Sequence, residues 1–359
     1  MNKDSIRANI KLILFSIFFS IVMGEIFIRV FEYYQYIKPS NKSQFQVYKD
    51  IYSDRRDKDY VFEHKKNIKV KLEKGYYDFI ISTNSEGLRE KKDYNSIEKS
   101  VIFLGDSIIE GASVENDEVL DEIFEKNTGV VSLNFGIGSS NTVHEFHYLK
   151  DKYKESYNTK LIVLGFCLND FPQNISTRYF DPSLGNWLLY KYNNQDKVRK
   201  STLTLWQHTK EFIKESKLAM FVLNSLGKIK DKESVSNPPY AYSDVNEEEA
   251  FYTELYINKI NEFSKQIDSN FVVVIFPQES QLNYKYKPNE RMQDLLIKIL
   301  NKNNIKYIDL FELMKSNYKN EPNTRWYHDN THPYVDGHRL YGEYLSQELP
   351  LMFPDVFNK

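Results

Sequence analysis

Val101–Ile102–Phe103–Leu104–Gly105–Asp106–Ser107 decides how this chain is read. Four consecutive apolar residues give a strand buried on both faces, and the glycine that follows at once marks its end. Moving outward, the same unit recurs. Val130 to Leu133 ends in the glycine-containing Asn134–Phe135–Gly136–Ile137–Gly138. Leu161 to Leu164 ends at Gly165, Phe271 to Phe276 ends at Pro277, and Ile305 to Leu310 is a fifth run. Helical stretches separate them: Glu118 to Asn127, Thr142 to Lys154, Glu248 to Ile267 and Glu290 to Asn301. Short apolar strands alternating with helices predict an α/β domain around a parallel sheet. Ligands of such sheets bind beyond the carboxyl ends of the strands, so the segments that follow the strands are where chemistry is expected.

Four segments matter. Ser107 falls on the turn after the first strand, which would project its hydroxyl into a cleft; Asp-Ser before a helix also suits a simple cap. Asp329–Asn330–Thr331–His332 lies late in the chain. A serine hydroxyl needs a base, and an imidazole oriented by a carboxylate serves; an aspartate three residues before the histidine can do this within one loop turn. Asn169, after the strand at Leu161, could donate its amide to a developing oxyanion, an effect of roughly 3–4 kcal/mol per donor. Asn169–Asp170 would equally suit a turn. The turn Asn134 to Asn141 could offer backbone amides to the same oxyanion, or be only a connection.

The four segments occur in order, and together they resemble the SGNH (GDSL-type) hydrolases, named for a Ser, Gly, Asn and His in four blocks. Leu104–Gly105–Asp106–Ser107 resembles the first block and Asn134 through Ser139 the second. Gly165 through Asp170 resembles the third, and Asp329 through Pro333, with Gly337 following, the last. The resemblance covers roughly residues 98 to 350. It implies a three-layer α/β/α domain with a parallel, flavodoxin-like sheet. It also places the oxyanion amide of the second block at Gly138 or Ser139, since the usual glycine position is Ser139. Thr83–Asn84–Ser85–Glu86–Gly87–Leu88–Arg89 resembles the lead-in of membrane-anchored bacterial members.

The N-terminus fits that resemblance. Residues 10–31 are largely apolar and long enough to cross a hydrocarbon core of roughly 30 Å. Lys3 and Arg7 precede them and Lys11 lies at their start, so residues 1–9 are expected in the cytoplasm and the rest outside. A cleaved signal peptide is the rival reading. Glu25 and Arg29, four apart, would pair near the outer boundary. Residues 32–97 are expected to form a lead-in with strands at Ile68 to Leu72 and Tyr77 to Ser82 and a turn at Asn84 to Gly87. Residues 98–355 form the hydrolase domain, interrupted at about 177–246 by an insertion with a helical segment near Leu203 to Ser225.

Composition narrows the rest. The 359 residues carry a formal net charge of −2, which gives no basic footprint for nucleic acid. Cys167 is the single cysteine, so neither an intramolecular disulfide nor a cysteine-based zinc site can form. It is expected to be a small buried hydrophobe. His328 with His332, and His144 with His147, are spaced like metal pairs but lack an accompanying motif, so no metal is expected. His338 is a lesser candidate base, and Pro277–Gln278–Glu279–Ser280 is expected near the cleft.

The reading is a serine esterase needing no cofactor. Ser107 attacks an acyl ester, His332 is the base and Asp329 its orienter. Ser107, Gly138 or Ser139, and Asn169 hold the oxyanion. The expected location makes O-acetylated envelope glycans or lipids the substrates. The alternatives are an O-acetyltransferase working with a polytopic membrane partner, and a non-catalytic glycan-binding scaffold.

Overall fold

The computed structural model describes positions 12, 15, 16, 19, 20 and 23–25, and residues 50–55, 60, 62–74, 77–90, 93–94, 96–181, 186–192, 198–200, 245–282 and 292–358. The chain divides into two compact units, one of residues 44–200 with 238–359 and one of residues 1–43 with 201–237. In the smaller unit the described positions are helical, with the Leu12, Phe15, Phe19 and Met23 side chains exposed. Among the described residues no helix is long and apolar enough to cross a membrane; most of the predicted span 10–31 lies outside them. The helical segment expected near Leu203 to Ser225 lies outside them too.

The larger unit opens with two antiparallel pairs, β1 (Tyr52–Asp54) with β2 (Phe62–His64) and β3 (Lys69–Lys74) with β4 (Tyr77–Ser82). The expected turn follows β4: the Gly87 amide donates to Asn84 O at 3.1 Å, and the glycine sits at φ +85°, where a side chain would be strained. Then come β5 (Ser100–Gly105), β6 (Val131–Gly136) and β7 (Thr159–Cys167). Three antiparallel strands follow, β8 (Ser176–Asp181), β9 (Asn186–Tyr192) and β10 (Val198–Lys200), where the sequence suggested only an insertion. β11 (Asn270–Phe276) and β12 (Lys306–Asp309) complete the main sheet.

That sheet has five strands in the order β12-β11-β7-β5-β6, and every neighbouring pair is parallel. Counted along the chain this is the 2-1-3-4-5 order of doubly wound, flavodoxin-like folds, whose chain direction switches between the first and third strands, here β5 and β7. Side chains alternate between the two faces. Ile102, Leu104, Ile162, Leu164, Val273 and Ile275 join one buried cluster; Val101, Phe103, Leu161, Val163, Val272 and Val274 join the other. The first packs on α3 (Thr142–Lys152), α5 (Glu247–Gln266) and α6 (Met292–Lys302). The second packs on α2 (Leu120–Thr128), α7 (Phe311–Asn320) and α8 (Val335–Met352). Between β5 and α2 lies the short α1 (Ser107–Glu110), and after β7 the short α4 (Asp170–Gln173).

Two strands run past their expected ends: β6 continues beyond Leu133 to Gly136, and β7 beyond Gly165 to Cys167. β6 continues through polar Asn134 because its side chain is fully engaged: Nδ2 donates to Ile109 O at 2.7 Å and Asp121 Oδ1 at 2.9 Å. Gly136 and Gly165 then fall level with Gly105 on either side, a row of three glycines across the sheet. The helix expected from Glu118 begins instead at Leu120. Asn116–Glu118 closes a tighter 3-10 turn through the Glu115/Glu118 capping box, and buried Val119 is extended.

Candidate active site

The glycine row is the seat of α1. A Cβ on Gly105 or Gly165 would stand 2.5 Å from Ile109 Cγ1, and one on Gly136 would overlap the Glu110 backbone. Only glycine lets α1 lie this close to the sheet. Asp106 caps α1, its Oδ1 accepting from the Ile108 amide at 2.9 Å, and Ser107 is the first helical residue. Burial pushes the Asp106 carboxyl up to about 6, against the pull of that amide and of His332.

His332 reaches Ser107 from the loop before α8. Its Nε2 lies 2.9 Å from Ser107 Oγ and its Nδ1 2.8 Å from Asp329 Oδ2. A carboxylate can only accept, so Nδ1 carries the proton and Nε2 is left to receive one from the serine. Asp329 Oδ1 takes the Thr331 and His332 amides at 2.8 and 2.9 Å, so one side chain shapes the loop and aims the ring. Pro277 to Ser280, whose role the sequence left open, tether this loop. Tyr327 Oη donates to Pro277 O at 2.8 Å, and the Glu279 and Ser280 amides donate to Asn330 O and Oδ1 at 2.9 and 2.8 Å.

Burial alone would depress the His332 pKa, but the hydrogen bond and charge of Asp329, with Asp106 and Glu110 behind, raise it above the ordinary value. Asp329 is driven the opposite way. Burial would raise it, yet His332 and the two amides hold it well below the usual carboxylate range. The pair is thus poised with Asp329 charged and His332 a strengthened base.

The turn after β6 folds back on β5: the Ile137 amide and Ser140 Oγ both donate to Gly105 O, at 3.0 and 3.1 Å. This brings Gly138 and Ser139 beside the Gly105–Ser107 turn. Ser139 has φ +62°, the left-handed conformation that favours glycine, so the position at which the family usually has glycine keeps a glycine-like backbone. Asn169 ends the loop after β7 at the N-cap of α4. It makes no capping bond, and its Oδ1 is buried without a partner among the described residues. Asp170 beside it is buried, its Oδ2 accepting from Thr142 Oγ1 at 3.1 Å; burial and the charges of Glu145 and Asp106 raise its pKa.

Glu110, Tyr52 and His64 gave no sequence signal, and Arg89 appeared only within the lead-in motif. Glu110, at the end of α1, is buried, and its Oε1 accepts from Tyr52 Oη at 2.5 Å and His64 Nε2 at 2.6 Å. Buried Arg89 donates to the carbonyls of Glu110, Gly111 and Val114. The residues set aside earlier lie outside the Ser107–His332–Asp329 relay. His338 is buried in α8, and burial lowers its pKa to about 3, as it does for His144. Both are therefore uncharged at neutral pH. His144 Nε2 faces Phe62 O at 3.1 Å. Cys167 is buried, and burial raises its thiol. Among the described residues no group of three or more His, Cys, Asp or Glu side chains is placed to hold a metal ion.

The profile of the GDSL-like lipase/acylhydrolase family matches residues 101–345, and the chain belongs to that family. It is accordingly a hydrolase acting on ester bonds. No curated protein matches it significantly. Its fold is similar to several solved structures. One is a member of the lipolytic G-D-S-L family from Veillonella parvula (13% identity, 69% of this chain and 96% of that one, TM-score 0.40). Another is a lipase/acylhydrolase from Enterococcus faecalis (13%, 71% and 96%, TM-score 0.38). A third is an acetyl xylan esterase from the rumen bacterium Butyrivibrio proteoclasticus (10%, 73% and 66%, TM-score 0.39).

Proposed function

We propose that the chain is a serine esterase working through Ser107, His332 and Asp329. The observation that carries this is the unbroken relay Asp329 Oδ2 to His332 Nδ1 and His332 Nε2 to Ser107 Oγ, at 2.8 and 2.9 Å. Ser107 Oγ attacks the ester carbonyl as His332 Nε2 takes its proton. The oxyanion is received by the amides of Ser107 and of Gly138 or Ser139 and by the Asn169 side chain. His332 returns the proton to the departing alcohol. Water, activated by the same imidazole, then releases the acyl group as the acid.

The substrates we assign are O-acyl esters of envelope glycans or lipids. This follows from the esterase class and from an external location, itself part of the proposal. Lys3 and Arg7 precede a largely apolar stretch at 10–31 that has Lys11 at its start, and the exposed Leu12, Phe15, Phe19 and Met23 suit a lipid-facing anchor.

A fluorophosphonate probe tests the nucleophile. Wild type is expected to label and Ser107→Ala not to; equal labelling of both, or of neither, overturns the assignment. Release of p-nitrophenol from its acetate should be Ser107-dependent. A rate that an added sugar acceptor leaves unchanged, with free acetate as the product, supports water as the acceptor; acetylated sugar in its place would identify a transferase.

A further inference from the structure

We infer that the hairpin β1–β2, upstream of the family match, belongs to the active site: Tyr52 and His64 hold the Glu110 carboxylate against Gly138 and so set the height of the oxyanion turn. This rests on the acyl-transfer reading of the same site.

The geometry is specific. Tyr52 and His64 are direct partners across the hairpin, and their rings stack at 5.1 Å and 16°. Both donate to one oxygen of Glu110, three residues after the nucleophile. The hydroxyl of Tyr52 and the second oxygen of Glu110 then lie over the oxyanion turn. A Cβ on Gly138 would stand 2.6 Å from Tyr52 Oη and 2.8 Å from Glu110 Oε2. A carboxylate is buried at large cost unless it is partnered. Here burial would raise the Glu110 pKa, but His64, Tyr52 and Arg89 outweigh it and keep the group ionised. Arg89 adds a second grip through the Glu110 carbonyl. One side of the turn is therefore fixed to the helix that carries Ser107, by residues that touch no reacting atom. Tyr52, His64 and Glu110 are positioning residues.

A misplaced oxyanion donor lowers kcat and leaves ground-state binding nearly intact. For Glu110→Gln, kcat for p-nitrophenyl acetate is expected to fall about tenfold or more with KM within about twofold, since small displacements at a reacting centre are costly. Tyr52→Phe should move kcat in the same direction by a smaller factor. The acid limb of the kcat profile gives a second readout. The groups around His332 are Asp329 in its own loop, Asp106 after β5, Glu110 on α1, neighbouring His328 and His338 of α8. Loss of the Glu110 charge removes one of three anions that raise His332, so the limb should move to lower pH. A residue that only supported folding would lower Tm and leave kcat and the limb in place. Wild-type kcat and an unmoved limb in both variants, with Ser107-dependent probe labelling intact, would sink the brace and spare the acyl-transfer reading. If Glu110→Gln does not fold, Tyr52→Phe decides alone, through kcat. A wild type that shows no Ser107-dependent labelling removes the reading and the brace together.

Discussion

Strands β5 and β7 lie side by side through six registered pairs, and their apolar side chains are all fully buried. β1 and β2 pair through only three; Phe62 joins one of the buried clusters and Tyr52 packs against it, and the other contacts with the unit are polar. Tyr52 and His64 reach Glu110. Glu63 is paired with Arg55 at 2.8 Å and with Lys152 of α3, and Tyr60 Oη donates to Asp151 at 2.7 Å. Position in the sheet is set by many interchangeable dispersion contacts, each worth little alone. Position in the hairpin is set by a few directional bonds, each of which leaves a buried polar group stranded if removed. One part of the site is therefore held by many weak contacts, the other by a few directional bonds.

Substitutions can break or sharpen that contrast. The largest effect is expected at Gly136→Ala, where the sheet has no room: the new Cβ overlaps Glu110 backbone, which cannot swing aside. Loss of more than about 4–5 kcal/mol, or no folded protein, is the expected result of a urea titration. Mild destabilisation would mean that α1 can lift from the sheet. Next comes Arg89→Met, which keeps the bulk of the side chain but strands three carbonyls and the charges of Glu110 and Asp121. A loss of roughly 3–5 kcal/mol is expected, and less than about 1 kcal/mol would show the clamp to be dispensable.

The smallest effect concerns pH. Asp121 and Glu90 are buried on either side of Asn134, and burial with neighbouring carboxylates raises both; Asp121 reaches about 7. An acid whose folded pKa exceeds its unfolded value, about 3.9, binds more protons when folded. Its contribution is present in full below about pH 4 and is lost as the pH rises through 7. Wild type should thus be more stable at pH 5 than at pH 8. Asp121→Asn should flatten that slope and gain on the order of 1 kcal/mol at pH 8. An unchanged slope would place the linkage on Glu90 or elsewhere.

The same contrast explains what could be read in advance. The main sheet was legible because Val101 to Leu104, Leu161 to Leu164 and Phe271 to Phe276 are apolar without interruption, and a strand buried on both faces needs nothing else. The residues placed at Ser107, Asp329, His332 and Asn169 were legible from their positions after strands or in one late loop. Strand ends were misjudged where glycine serves close packing, as at Gly136 and Gly165. β8 to β10 were missed although β9 holds Trp187 to Tyr190, because β8 and β10 around it carry no such run. Glu110 was invisible for a different reason. Its partners lie 58 and 46 residues upstream, and no local spacing joins a tyrosine, a histidine and a glutamate across that distance.

The three glycines that seat α1 also bear on how this protein can evolve. Gly105, Gly136 and Gly165 stand on three different strands, and for each the nearest obstacle to a side chain is an atom of α1. No single substitution in α1 could open room for all three, because Ile109 blocks two of them and the Glu110 backbone the third. A mutational library over residues 98–170 should therefore show three isolated positions intolerant of every replacement, inside strands that accept exchanges among Val, Ile and Leu. Change in substrate preference would have to come from loops beyond the rim, since the rim itself has almost no neutral neighbours in sequence space.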